Sequence, residues 1–274
     1  MDMEKRVEAL EAQLAEVRAQ LRNAIMVQPP TTCELHTRAS RLLDLLAPER
    51  GSDGRFVRVG SAFDGGYVLP EAMRFDWVLA FGIGGNCEFE EAMIERDAAV
   101  IAFDHTIEFY PADPTTVEWR REGLAPMASA ECTTIASAVG EANGRLLVKL
   151  DVEGDEWASL DATPTETLTR ISCLVVEFHG LDRLLMDADW QRMVAVLERV
   201  RSVFALVHVH ANNAGPTFRA AGRLIPSFVE CTYVHRKIVG LCAPAPGPWP
   251  TTLDTPNLPA YPDIDLTNLW ASST

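Results

Sequence analysis

Short apolar runs recur along the chain from residue 77 onward, and stretches with helical spacing of apolar residues separate them. The runs predict strands at Trp77–Gly82, Val100–Asp104, Leu146–Asp151, Ile171–Phe178, Phe204–His210 and around Phe228–Val234. The spaced stretches predict helices at Glu88–Arg96, Thr133–Glu141 and Ala188–Val200, after an earlier helix at 33–47 and a short strand at Phe56–Gly60. Alternating apolar strands and helices favour an α/β fold, with a mostly parallel sheet covered on both faces.

The first 28 residues follow a different pattern. Their apolar residues alternate spacings of four and three, at Met3, Val7, Leu10, Leu14, Val17, Leu21 and Ala24. That spacing predicts an N-terminal coiled-coil helix over residues 1–28, which ends before Pro29 and Pro30. Because so narrow an apolar seam needs a partner, we expect a homodimer through this helix; packing on the chain's own domain is the alternative.

The end of the chain is rich in proline and marks a third region. From residue 243 onward the prolines are Pro244, Pro246, Pro248, Pro250, Pro256, Pro259 and Pro262. Such a segment cannot join a helix or a strand ladder, but apolar residues such as Leu253 and Trp270 favour docking on the protein. The predicted organisation is therefore the helix at 1–28, an α/β domain at 33–242 and a packed tail at 243–274.

Composition and charge narrow the function classes. The 274 residues include 47% apolar and 23% charged residues, which is ordinary for a soluble protein, and no apolar run is long enough to span a bilayer. The net charge of −15, without a basic run, argues against nucleic acid and favours a small neutral or cationic partner. The six cysteines form no C-x-x-C pair, so we expect a reducing, cytoplasmic environment.

Two candidate cofactor contacts lie at strand ends. In an open parallel sheet, ligands bind beyond the carboxyl ends of the strands. Gly82 and Gly84 follow the first strand of the α/β region, where glycine lets the backbone approach a ligand. Asp104 ends the next strand, a position from which a carboxylate can bind ribose hydroxyls. The alternative for Asp104 is a helix N-cap.

Acidic and imidazole side chains follow three later strands. Asp151 and Glu153 are two residues apart, so an extended backbone would direct both to one side; Glu177 and His179 repeat that spacing. The third set is His208, His210 and Asn212. These groups can act as acid or base, bind an acceptor, or ligate Mg²⁺ or Mn²⁺, and purely structural polar contacts are a further alternative.

Taken in order, the strand-end motifs resemble the FkbM-type branch of class I methyltransferases. The resemblance covers roughly residues 56 to 240 and rests on Gly60-x-x-Phe63-Asp64-Gly65-Gly66-Tyr67-Val68, Phe81-Gly82-Ile83-Gly84, Phe103-Asp104-x-Thr106, Lys149-Leu150-Asp151-Val152-Glu153-Gly154, Val176-Glu177-Phe178 and His208-x-His210-x-Asn212-Asn213. It implies a Rossmann-like, seven-stranded sheet with an antiparallel last strand, and S-adenosylmethionine as cofactor. The cofactor residues it implies are Asp64, Gly65, Gly66, Tyr67, Gly82, Gly84 and Asp104.

The resemblance leads to the hypothesis of O-methylation of a small molecule or glycan, and it implies a sugar hydroxyl as the expected acceptor. An alcohol needs activation at neutral pH, for which His179, His208 and Asp151 are the catalytic candidates. Asp151, Glu153, Glu177, His179, His208, His210 and Asn212 are the candidates for binding substrate or metal. A nicotinamide-dependent oxidoreductase and a non-catalytic domain that recruits a partner through the coiled coil are the alternatives.

Overall fold

A computed structural model describes residues 31–51, 54–240, 242–245 and 247–270. Its strands are β1 (Glu49–Arg50), β2 (Phe56–Gly60), β3 (Gly66–Pro70), β4 (Trp77–Phe81), β5 (Ala99–Phe103), β6 (Glu118–Arg120), β7 (Gly123–Leu124), β8 (Cys132–Thr133), β9 (Leu146–Leu150), β10 (Cys173–Phe178), β11 (Phe204–Ala211), β12 (Thr217–Ala220), β13 (Arg223–Pro226), β14 (Val229–His235) and β15 (Ala243–Pro244). Its helices are α1 (Thr32–Leu45), α2 (Glu88–Ile94), α3 (Ile135–Glu141), α4 (Glu156–Ala162), α5 (Thr165–Leu168), α6 (Asp187–Val203) and α7 (Arg236–Val239), with a 3₁₀ turn at Leu181–Leu185.

Seven strands form the central sheet, in the order β6-β5-β4-β9-β10-β14-β11. Neighbours are parallel except at β14, which is antiparallel to both β10 and β11. From β4 the chain proceeds outward through β5 to β6, then returns to place β9 on the other side of β4. This is the Rossmann-like class I methyltransferase fold, and the expected seven-stranded sheet with one antiparallel strand is confirmed.

Alternation along the strands explains why both faces of the sheet are covered. In β4, Leu79 and Phe81 pack into the apolar cluster that includes α1 and α6, whereas Val78 and Ala80 face the cluster on the α2 side. A strand buried on both sides needs apolar residues at every position, which is why these strands read as unbroken apolar runs. The β2–β3 hairpin packs against α2 on the second face.

Most predicted elements are present, with ends shifted by a few residues. The strand predicted at Phe56–Gly60 is confirmed with the same first and last residues. The strand predicted to begin at Ile171 begins two residues later, at Cys173. The predictions missed β6, which joins the sheet through only Glu118–Arg120, and the β12–β13 hairpin. Three residues are too few to produce a readable apolar run.

The described part of the tail packs on the domain without forming a helix. Its first two residues, Ala243 and Pro244, form β15 and pair with β1, so the expectation that the tail joins no strand ladder is wrong there. Ala245, Trp249, Leu266 and Leu269 join the apolar cluster on the α1 side. The predicted coiled-coil helix at 1–28 lies outside the described residues. Within the described residues, no helix combines the length and apolar character needed to cross a membrane.

Candidate functional site

The candidate site begins at the glycine turn after β4. Gly82 has a φ of +78°, and a Cβ there would lie 1.6 Å from the carbonyl oxygen of Asp151. Any larger residue would force the turn away from the end of β9, so the position requires glycine. The turn then leads into α2, which begins at Glu88.

Asp104 fixes the shape of this turn. Its Oδ2 accepts hydrogen bonds from the amides of Ile83 (2.9 Å) and Gly84 (2.8 Å), and its Oδ1 accepts from the amide and hydroxyl of Thr106. Burial alone would raise the pKa of Asp104, but the hydrogen bonds from Gly84, Thr106 and Ile83 outweigh it and lower the pKa. No helix begins between Asp104 and β6, all of which the structure describes, so the N-cap alternative is wrong.

A cleft of about 380 Å³ lies beside the turn, at the carboxyl ends of β4, β5 and β9. The sheet order reverses between β4 and β9, and ligands of open α/β sheets bind at such a switch point. Of the residues predicted to contact the cofactor, those that line the cleft are Asp64, Gly65, Gly82, Gly84 and Asp104. The structure therefore brings together three separate segments of the sequence.

The two remaining predicted cofactor residues occupy a different place. Gly66 and Tyr67 belong to β3 and pair with β2, and neither lines the cleft. The Tyr67 hydroxyl instead donates a 2.9 Å hydrogen bond to Oδ2 of Asp151. Tyr67 therefore does not line the cleft itself but holds the side chain of Asp151, which does.

A buried ion pair supports the floor of the cleft. The Lys149 ammonium donates a 2.5 Å hydrogen bond to the carbonyl of Gly82 and lies 3.5 Å from Oε1 of Glu90, whose side chain is fully buried. Burial alone would lower the pKa of Lys149, but Glu90 and Asp151 more than offset it and raise the pKa. Lys149 therefore stays charged and ties the turn to α2.

On the far side of Asp151, the structure assembles an acidic cluster, defined here as Asp151, Glu177 and His179. One ligand atom from each residue lies within 4.8 Å of those of the other two. Asn212 donates a 2.7 Å hydrogen bond to Oε1 of Glu177, so this predicted residue supports the cluster. Burial raises the pKa of both carboxyls, and the proximity of Asp151 and Glu177 raises that of Glu177 further.

Glu153 lies next to this cluster because of a turn after β9 that the sequence did not predict. Strand β9 ends at Leu150, and Glu153 has a φ of +55°, so the expected extended geometry of Asp151 and Glu153 is wrong. Even so, Oε2 of Glu153 lies 3.6 Å from Nε2 of His179, and the side chain is 86% exposed. The turn after the strand gives Glu153 access to solvent.

His208 and His210 are placed apart from the acidic cluster, on β11 beneath the tail. Nε2 of His208 lies 3.1 Å from Oδ1 of Asp254. The His210 ring contacts Glu230 through Nδ1 at 2.9 Å and Asp263 through Nε2 at 3.0 Å. Both imidazoles are thus engaged by carboxylates, two of which belong to the tail.

The tail also supplies a polar contact to the site. Nδ2 of Asn257 donates hydrogen bonds to Asp64 (2.9 Å) and Glu230 (2.6 Å), which links the cleft wall to β14. The residues that sequence reasoning missed are Lys149, Glu156, Glu230, Asp254, Asn257 and Asp263. Lys149 carried a signal, since a lysine inside an apolar strand needs a buried partner. The tail residues carried none, because their partners lie far away in sequence.

No protein-family model and no curated protein matches this sequence. Among solved structures, the chain is similar to TrmN from Thermus thermophilus, at 12% identity and a TM-score of 0.34, over 60% of this chain but only 45% of TrmN. It is also similar to the N-methyltransferase NodS from Bradyrhizobium japonicum, at 9% identity and a TM-score of 0.32, over 73% of this chain and 94% of NodS. A third is the 1,6-didemethyltoxoflavin-N1-methyltransferase from Burkholderia thailandensis with bound S-adenosylhomocysteine, at 11% identity and a TM-score of 0.30, over 86% and 91% of the two chains. Likeness at this level carries no argument, and the fold assignment rests on the order and directions of the strands.

Proposed function

We propose that this chain is an S-adenosylmethionine-dependent O-methyltransferase that acts on a hydroxyl of a small molecule or glycan, with a sugar as the acceptor class. The observation that carries the proposal is that the cleft and the acidic cluster share Asp151. A cofactor in the cleft would therefore lie next to groups that can hold an acceptor hydroxyl. Methyl transfer requires that proximity.

The charge of the cleft favours a cationic cofactor over a dinucleotide. Six carboxylates line it, those of Asp64, Asp104, Glu122, Asp151, Glu153 and Asp155. Of the described lining residues, Lys149 is the one permanent cation, and Glu90 and Gly82 engage it. The first turn of α2 is acidic as well, which opposes a pyrophosphate at that helix end. These charges attract a sulfonium and repel the pyrophosphate of NAD.

The reaction requires little more than positioning and removal of one proton. The acceptor oxygen attacks the methyl carbon, the carbon–sulfur bond breaks with its electron pair remaining on sulfur, and the hydroxyl proton leaves. Asp151, Glu177 and His179 act as one unit that holds the hydroxyl, and the neighbouring carboxylate of Glu153, which is exposed to solvent, draws its proton. His208 is not retained as a base in this proposal, because Asp254 already engages its Nε2.

Calorimetric titration tests the cofactor assignment. We expect the protein to bind S-adenosylhomocysteine and not NAD. Gly85 lines the cleft with a negative φ, and a Cβ there would meet open space, so Gly85→Leu should fold normally and weaken binding at least tenfold. Gly140, on the exposed side of α3, also has open space at its Cβ, and Gly140→Leu is the matched control with unchanged affinity.

Other outcomes of that titration distinguish the alternatives. Binding of NAD but not S-adenosylhomocysteine would replace the proposal with the oxidoreductase. Binding of neither would favour a non-catalytic domain that recruits a partner. The acceptor class is tested separately, by transfer of a radiolabelled methyl group to a panel of sugars and sugar analogues that lack single hydroxyls. Transfer to amines instead of hydroxyls would contradict the O-methyl assignment.

A further inference from the structure

We infer that Asp151, Glu177 and His179 bind one divalent cation of the Mg²⁺ or Mn²⁺ type. Ligand atoms about 2.1 Å from an octahedral ion are roughly 3 Å apart when adjacent and roughly 4 Å apart when opposite. The candidate atoms of the three residues already lie within 4.8 Å of one another. Small side-chain rotations would bring two carboxylates and one imidazole onto a common ion, and the carboxylate oxygens of that set suit these cations.

The state of His179 is the observation that points to a ligand. The residue is only 7% exposed, yet its Nδ1 is buried without a hydrogen bond. Its Nε2 lies 3.6 Å from both Glu177 and Glu153, beyond hydrogen-bonding distance. A buried imidazole that faces carboxylates without bonding to them has the position of a metal ligand.

A second carboxylate completes the pattern around His179. Oε1 of the fully buried Glu156 lies 3.5 Å from Nδ1 of His179 and accepts a 2.7 Å hydrogen bond from the His179 amide. Metal-ligating histidines regularly have a carboxylate beside the ring nitrogen that does not touch the metal, because it fixes the tautomer and orientation of the ring. Glu156 is placed to perform that role while Nε2 points toward Asp151 and Glu177.

The cations near the cluster are shared with other carboxylates. Lys149 is engaged by Glu90 and the carbonyl of Gly82, and His210 contacts Glu230 and Asp263. Lys149 is thus shared between Glu90 and Asp151, which leaves the buried carboxyl of Glu177 beside Asp151 without a cation of its own, and a divalent cation would remove the cost of holding them together.

A second set of carboxylates nearby is a poorer site. Asp64, Glu177 and Glu230 also approach within 4.8 Å. Both oxygens of Glu230 already have partners, however, since Asn257 donates to Oε1 and His210 contacts Oε2. Asn257 also donates to Asp64. We therefore assign the cation to the set that contains His179.

The role of the cation rests on the proposed function, whereas its binding does not. An acceptor hydroxyl on the ion loses its proton more readily, because a bound divalent cation lowers the pKa of an oxygen ligand. Glu153, which is exposed to solvent and lies 3.6 Å from His179, would then pass the proton to water. His179 then acts through the ion and does not itself take the proton.

Titration of the full chain with MnCl₂, followed by electron paramagnetic resonance, tests the inference. We expect one Mn²⁺ per chain, competition by Mg²⁺, and a nitrogen coupling from the His179 imidazole. Glu177→Gln should weaken Mn²⁺ binding at least tenfold, and His179→Asn should weaken it and abolish the nitrogen coupling. Glu91→Gln, on the exposed side of α2, is the control with unchanged affinity.

The outcomes separate this inference from the proposed function. Wild-type protein that binds Mn²⁺ no better than folded Glu177→Gln, or a nitrogen coupling that survives in His179→Asn, would overturn the site. Circular dichroism and S-adenosylhomocysteine titration establish whether each variant folds; if Glu177→Gln does not, the His179→Asn spectrum decides. Mn²⁺ binding without S-adenosylhomocysteine binding would remove the methyl-transfer role and leave the cation site standing.

Discussion

At the scale of single residues, the Lys149–Glu90 pair holds two charges in the protein interior. Neither oxygen of Glu90 has a hydrogen bond within the described structure, and the ammonium of Lys149 lies 3.5 Å away. Such pairs add little net stability, but removal of one partner leaves the other charge buried and unpaired. The pair also carries the hydrogen bond to Gly82, so its loss would reach the cleft.

Lys149→Met should lower the free energy of unfolding by about 3–5 kcal/mol, since it leaves the carboxylate of Glu90 unpaired. The double variant Lys149→Met/Glu90→Gln should recover more than about 1 kcal/mol of that loss, because the two changes are coupled. Urea denaturation measures both, and Lys237→Met at an exposed position is the control. If the double variant is no more stable than Lys149→Met, the two side chains are not coupled.

Residue types at strand ends were predictable from the sequence, but their partners were not. Asp104 follows a visible apolar run, so its position near the glycine turn could be foreseen. Its four hydrogen bonds come from Ile83, Gly84 and Thr106, and these partners depend on the path of the backbone through the turn, which the sequence does not reveal. The backbone path also explains the error at Glu153. The prediction placed Glu153 and Asp151 on one extended strand, but the backbone of Glu153 is left-handed, so the two side chains do not share a strand face.

At the scale of elements, the tail is as much a part of the domain as its helices. Trp249 is buried against His208, with ring centroids 5.4 Å apart, and its carbonyl accepts a 2.9 Å hydrogen bond from the Leu266 amide. The Trp270 indole donates to the carbonyl of Leu43 in α1. Proline content predicted an extended segment, and only the three-dimensional structure shows what it covers.

Trp249→Ala should lower the free energy of unfolding by about 3–5 kcal/mol, as expected when a large buried aromatic side chain is removed. Tyr261→Ala, in the same tail but 63% exposed, should change it by less than about 0.5 kcal/mol. Urea denaturation of both variants makes the comparison. Equal effects would show that the tail is not packed as described.

The short strand β6 shows where pattern reading fails at this scale. Its residues, Glu118–Arg120, include two charged side chains that form a surface ion pair. They join the sheet because Ile101 to Phe103 of β5 offer an open edge. A short edge strand therefore forms because the neighbouring strand offers unpaired backbone groups, and its own sequence need not be apolar.

At the scale of the whole molecule, stability at alkaline pH depends on His210. Burial alone would lower its pKa, but hydrogen bonds to Asp263 and Glu230 and the charges of Glu230 and Asp254 raise it to about 10. Because the folded pKa exceeds the unfolded value of about 6.5, the stabilisation is complete below pH 6.5. It is lost as the pH rises through about 10.

Wild-type protein should therefore lose roughly 3 kcal/mol of unfolding free energy between pH 7 and pH 10.5 through this residue. His210→Gln should be less stable at pH 7 and show a flatter profile over that range. His36→Gln, at an exposed position of α1, should follow the wild-type profile. Thermal unfolding across the pH series measures the difference, and parallel profiles for wild type and His210→Gln would contradict the assignment.

The position of β14 has a consequence for how the chain acquires its fold. The strand fills the gap between β10 and β11, although both precede it in the sequence. Until β14 has emerged from the ribosome, β11 has no partner in the sheet and β10 presents an open edge, which are conditions that invite aggregation. Productive folding must therefore wait for the late strand, and cellular yield should depend on chaperones that shield those edges in the interval.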